Sequence, residues 1–116
     1  MNIQIFGSTK SFDTKKAERF FKERNIKVQL INIKEKPMSK GELTSVVNAL
    51  GGLDKIIDPK AKDKNALALI QYSPDETKFE KLLDNQQLLK LPIVRNKQRA
   101  TVGVDEKTWA AWIDEK

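Results

Sequence analysis

The residues best suited to chemistry lie in one stretch, Phe6-Gly7-Ser8-Thr9-Lys10-Ser11-Phe12-Asp13-Thr14-Lys15-Lys16. Gly7 punctuates the end of an apolar run from Ile3 to Phe6, and an amphipathic pattern begins near Asp13. Ser11 and Asp13 are candidate helix N-caps, whose side chains satisfy the orphan N–H groups of a first turn. A strand, a tight turn and a helix N-terminus make a small anion-friendly cradle over residues 9–14, and Lys10 adds positive charge beside it. A serine hydroxyl acts as a nucleophile only when a base takes its proton. The chain has no histidine to serve as that base and no cysteine to supply a thiolate. Thiol catalysis, disulfide frameworks, thiolate zinc sites and imidazole acid–base chemistry are thereby excluded.

The elements that must position this stretch follow from the hydrophobic pattern. Residues 1–6 read as a strand with Ile3 and Ile5 on one face, and residues 13–24 as a helix with Ala17, Phe20, Phe21 and Arg24 on one stripe. Asn25 is a plausible stop. Residues 27–33 read as a second strand, Val28 and Leu30 on one face and Ile31 and Ile33 on the other. The connection between the two strands is long enough for a right-handed parallel crossover. Ser39 and Glu42 form a capping box ahead of Leu43, Val46, Val47 and Leu50, and Gly51-Gly52 ends that helix. Residues 53–57 suggest another helical turn, broken by Asp58-Pro59, and residues 66–70 look helical. Ser73-Pro74-Asp75-Glu76 reads as a helix start with Ser73 at the N-cap, Phe79, Leu82 and Leu83 supplying the buried face. Leu88 and Leu89 suggest a last short turn within residues 84–90. Residues 91–94 and 99–102 read as a hairpin turning at Asn96-Lys97, and Asp105 caps a final helix carrying Trp109, Trp112 and Ile113.

Gly7 to Phe21, GSTKSFDTKKAERFF, resembles the opening of the ArsC/Spx family of arsenate-reductase-like proteins. Lys36 to Leu43, Phe79 to Asn96 and Ala100 to Trp109 are similar to further stretches of that family, so the resemblance covers nearly the whole chain. It implies an α/β, thioredoxin-like (glutaredoxin-like) fold, with a mixed four-stranded sheet flanked by helices and a helical insert before the third strand. It also implies that Ser11 holds the place of the family's reactive cysteine and Thr14 the place of a second cysteine found in some relatives. Thr9 and Lys10 fall beside the substrate, and Pro92 matches the cis-proline that faces the active-site loop. Arsenate reductases of the family surround their oxyanion with three arginines. The matching places here hold Leu91, the segment with Asp58 and Lys60, and Val104. Arg95 and Arg99 lie instead on the predicted hairpin and are expected to face solvent. Ser11 itself has three readings: a plain helix cap, which the missing base favours; a natural serine at the nucleophile position; or a serine put in place of a cysteine.

Length and composition suit one domain over residues 1–116, with 39% hydrophobic residues for its core. No apolar run is long enough to span a bilayer, and no signal-peptide pattern opens the chain, so a cytoplasmic protein is expected. The net charge of +6 comes from basic residues interleaved with acidic ones, as in KEK, KDK and DEK. That reads as a solvated surface rather than a nucleic-acid face. No bound cofactor and no metal are expected. Two functions remain open. One is a relative of thiol reductases linked to glutathione or glutaredoxin, shown here without its thiol. The other is a Spx-like regulatory module contacting RNA polymerase through its α subunit, with Gly51-Gly52 near the contact.

Overall fold

The computed structural model describes residues 1–115. Strand β1 (Ile3–Gly7) lies inside a four-stranded sheet, pairing parallel with β2 (Val28–Asn32) and antiparallel with β3 (Ile93–Asn96). Strand β4 (Arg99–Val102) extends the sheet antiparallel to β3, giving the order β2-β1-β3-β4. Both faces of β1 are covered towards its end, where the consecutive residues Ile5 and Phe6 are both buried. Ile3 and Ile5 point to one core with Phe20, Phe21, Val94, Trp109 and Trp112. Phe6 points to a second core with Ile31, Leu43, Val46, Leu82 and Ile93.

Helices α1 (Phe12–Glu23) and α5 (Glu106–Asp114) cover the first face. The second face carries an insert between β2 and β3. It comprises α2 (Lys40–Leu50), a 3-10 turn (Leu53–Ile56), α3 (Lys64–Gln71), α4 (Asp75–Asp84) and a second 3-10 turn (Gln86–Leu88). This is the thioredoxin-like order expected from the sequence, helical insert included. β3 begins at Ile93 rather than at 91, since Pro92 has no N–H to give to a ladder. Among the described residues, no helix is long and apolar enough to cross a membrane.

Local signals explain most boundaries. Ser39 Oγ accepts from Glu42 N–H at 3.1 Å while Glu42 Oε1 accepts from Ser39 N–H at 3.0 Å, the reciprocal capping box. Gly51 ends α2 with φ +79°, a left-handed position that favours glycine. Asp105 caps α5 by accepting from Thr108 N–H at 3.2 Å. Asp63 caps α3, and its bonds from Ala66 N–H and Gln87 hold its carboxyl below the ordinary value of 3.8. That cap is complete above pH 3.8 and is lost as pH falls through the lowered value.

Ser73 departs from expectation: it does not cap α4. Pro74 takes the N-cap place, without a side-chain bond, and the Ser73 hydroxyl donates back to Leu69 O. Helix α3 has already stopped at Gln71, so the Leu69 carbonyl lacks a continuing helical donor and the hydroxyl supplies one.

The first core is tied by aromatic contacts. Phe20 and Phe21 lie 5.3 and 5.4 Å from the Trp109 ring, with 5.2 Å between themselves. Trp109 Nε1 donates to the buried Thr101 hydroxyl at 2.8 Å, linking α5 to β4. Trp109→Phe removes that donor, strands the hydroxyl and leaves unfilled space. A loss of about 2–4 kcal/mol is expected, read as a lower urea midpoint at unchanged slope.

Candidate functional site

The site forms where β1 gives way to α1. Gly7 is needed there because Thr14 sits on it: a Cβ at Gly7 would come 2.3 Å from Thr14 Cγ2 and 2.5 Å from its Oγ1. The close approach lets α1 begin directly over the end of β1. Thr14 is buried, and its hydroxyl accepts from Ser8 N–H at 3.4 Å. Ser11 is the N-cap of α1, its Oγ accepting from Thr14 N–H at 3.1 Å. Ser11 and Thr14 are thus brought together, the first half-buried and the second closed inside.

Thr9 and Lys10 are exposed on the turn. The cradle is less open than the strand–turn–helix pattern implies. Besides the Ser8 and Thr14 amides, Lys10 N–H donates to Ser8 Oγ at 3.2 Å and Ser11 N–H to Ser8 O at 3.1 Å. The loop's short polar side chains therefore use up donors that an anion would need.

Pro92 enters from the other side. The pairing of Phe6 with Ile93 carries Pro92 to the strand end beside Gly7. Its peptide bond with Leu91 is cis, and its carbonyl accepts from Gly103 N–H at 2.8 Å. Leu91 and Ser8 line a cleft of about 380 Å³ together with Ile33, Pro37, Leu83 and Gln86.

The places where arginines would serve an oxyanion do other work. Asp58 accepts from Lys60 N–H at 2.8 Å, a turn contact, and Val104 is exposed. Arg95 is not simply solvated: it donates to Gln4 Oε1 and to Lys97 O, both at 3.0 Å, along the sheet face. Arg99 faces solvent as expected, pairing with Glu115 at 2.6 Å. Trp109 and Trp112 are core residues of the α5 face.

The chain matches the ArsC family over residues 6–112. It belongs to that family. Among solved structures, the arsenate reductase from Vibrio cholerae is 20% identical, superposes with a TM-score of 0.81, and is matched over 96% of this chain and 97% of its own. An ArsC family related protein from Bacteroides fragilis gives 20% identity and a TM-score of 0.82 over 96% and 97%. A protein from Staphylococcus aureus gives 21% and 0.76 over 94% and 96%. No curated protein matches the sequence. At such identities the likeness is one of fold, and this ArsC-family chain carries arsenate-reductase-like architecture with a serine at position 11.

Sequence reasoning missed Phe12. It directly follows Ser11 and is 80% exposed, with Lys15 Nζ 5.8 Å from its ring centre. The available signal was its position off the Ala17, Phe20 and Phe21 stripe.

The Gly7–Thr14 contact gives a direct test. Gly7→Ala should cost about 1–3 kcal/mol by overpacking. Combined with Thr14→Ala, which removes the clashing methyl and hydroxyl, it should cost less than the sum of the two single changes, by at least about 0.5 kcal/mol. Thermal unfolding of the four proteins in the cycle measures this.

Proposed function

We propose that this chain is a redox-silent member of the ArsC family, related to glutathione- and glutaredoxin-linked thiol reductases, in which a capping hydroxyl occupies the nucleophile position. The observation that carries the reading is the bond from Thr14 N–H to Ser11 Oγ, in a chain without cysteine or histidine. Reduction of an oxyanion by a thiol enzyme removes two electrons from sulfur, which ends as a disulfide. A serine oxygen has no equivalent oxidised partner, and no imidazole is present to deprotonate it. The residues at Leu91, Asp58 and Val104 add no guanidinium fork for a tetrahedral anion.

A second reading, a Spx-like module that contacts the RNA polymerase α subunit, is favoured by one observation. Gly52 is extended, and a Cβ there would meet nothing within 4 Å, so the local fold does not require a glycine. An open surface beside Gly51 suits a partner. Gly52→Glu should abolish pull-down of the α subunit while leaving the melting temperature unchanged. Equal capture by both proteins would exclude this surface.

For the first reading, the protein should show no arsenate reduction with glutathione and glutaredoxin above a protein-free blank. In Ser11→Cys, the α1 N-terminus and Lys10 should favour the thiolate. The thiol should then titrate below the free-cysteine value of ~8.5 and react rapidly with oxidised glutathione, still without efficient arsenate turnover. The pH dependence of alkylation measures this. A value at or above that of free cysteine would show that the loop no longer has active-site character.

A further inference from the structure

We propose that the outer edge of β2 is a docking site for an extended peptide strand that carries alternate apolar side chains on one face between acidic flanks. β2 is the terminal strand of the sheet. Ile33 N–H donates to Gly7 O at 3.1 Å, so Ile33 faces β1. Strand alternation then turns Gln29 and Ile31 inward as well, and aims the backbone groups of Val28, Leu30 and Asn32 outward. The Asn32 carbonyl agrees with this direction, because it accepts from Glu35 and Lys36 N–H at 3.0 and 2.9 Å on the side away from β1. The N–H and C=O of Val28 and Leu30, with the N–H of Asn32, form a short open ladder. Neither a proline nor a bulge blunts it.

The side-chain surroundings favour a strand there. Two clefts, of about 230 and 500 Å³, lie between α1 and the β2 edge and meet at Leu30 and Glu18. Leu30 is 50% exposed between them. Alternate side chains of an added strand, roughly 6.6–6.8 Å apart, would enter one cleft each. Backbone pairing would then give affinity, and the clefts selectivity. Lys15, Lys22 and Lys27 line the clefts against the single acid Glu18, and none of the three lysines has an ion pair among the described residues. The positive rim selects acidic flanks on the partner. A second copy of the chain would bring the same lysines face to face and carries the same +6 charge, so it suits the edge less well. The proposal does not depend on how Ser11 behaves, although the smaller cleft ends at Thr9 and Thr14.

The probe is a synthetic peptide with a Val-Thr-Val centre, whose valines share one face, and two glutamates on each flank, titrated into isotope-labelled full chain. The amides of Val28, Leu30 and Asn32 should shift and gain exchange protection, with Gln29 and Ile31 unchanged in protection. Leu30→Pro removes one outward donor at an edge position that tolerates proline, and should weaken binding about tenfold or more. Lys22→Glu combined with Lys27→Glu, both on exposed side chains, should weaken it to a similar degree and keeps the test valid if the proline variant does not fold. Equal binding of a same-charge peptide with proline at alternate positions would reduce the effect to charge alone and overturn the proposal. Absence of binding would do the same. So would concentration-dependent protection of the β2 edge without peptide, which would assign the edge to a second copy.

Discussion

The absence of a side chain at Gly7 is the constraint on which the site depends. The Thr14 side chain occupies the space where a Cβ would be, and this sets how closely α1 can start behind β1. That distance in turn fixes Ser11 at the helix N-cap, where the field of the first turn is strongest. The loop between them is short, and its polar side chains close on its own amides. One missing methyl therefore determines the height of the helix, the burial of Thr14 and the orientation of position 11. Pro92 meets this arrangement from the antiparallel strand, held by the Gly103 N–H.

The helical insert is joined to the sheet by more than apolar packing. Gln86 is buried, and its side-chain amide imitates a strand partner: Oε1 accepts from Met38 N–H at 2.7 Å and Nε2 donates to Met38 O at 2.9 Å. A buried amide left unpaired would be costly, so the reciprocal pair fixes one arrangement of the insert against the segment after β2. Both segments also line the cleft beside Leu91. The polar core contact and the site thus share their supports, and a loosened insert would change the cleft before it changed the sheet.

Much of this was legible in the sequence because its signals are local. The Ser39–Glu42 box, the Gly51 stop, the Asp105 cap and the hairpin at Lys97 each depend on residues within a few positions. The aromatic stripe of α1 appeared as the periodicity at Ala17, Phe20 and Phe21. Ser73 misled because its pattern, Ser-Pro-Asp-Glu, is a valid helix start, whereas the hydroxyl was taken by a carbonyl of the preceding helix. Arg95 misled because its partner Gln4 is distant in sequence. Leu30 and Ile31 look equally apolar in one dimension, yet Ile31 is buried and Leu30 half-exposed. They point to opposite faces of β2: Ile31 packs into the core under the insert, whereas Leu30 lies beside the clefts next to α1. The thioredoxin-like order itself came from the family resemblance, since hydrophobic periodicity does not say which strands are neighbours.

Fold and chemistry separate cleanly at position 11. A thiol at a helix N-terminus gains reactivity because a few units of pKa shift bring it across neutral pH. The same field acting on a serine hydroxyl, which ionises far higher, leaves it neutral and useful as a hydrogen-bond acceptor for Thr14 N–H. Ser11 thereby converts the element that would activate a nucleophile into one that stabilises the helix, at almost no change in shape. What remains after that exchange is a scaffold with two surfaces in reach of each other: the loop at the end of β1, and the open edge of β2 one strand away. The smaller cleft joins them, running from Thr9 and Thr14 to Leu30. A chain segment lying on that edge would end beside the loop, because the cleft that Leu30 lines continues to Thr9 and Thr14.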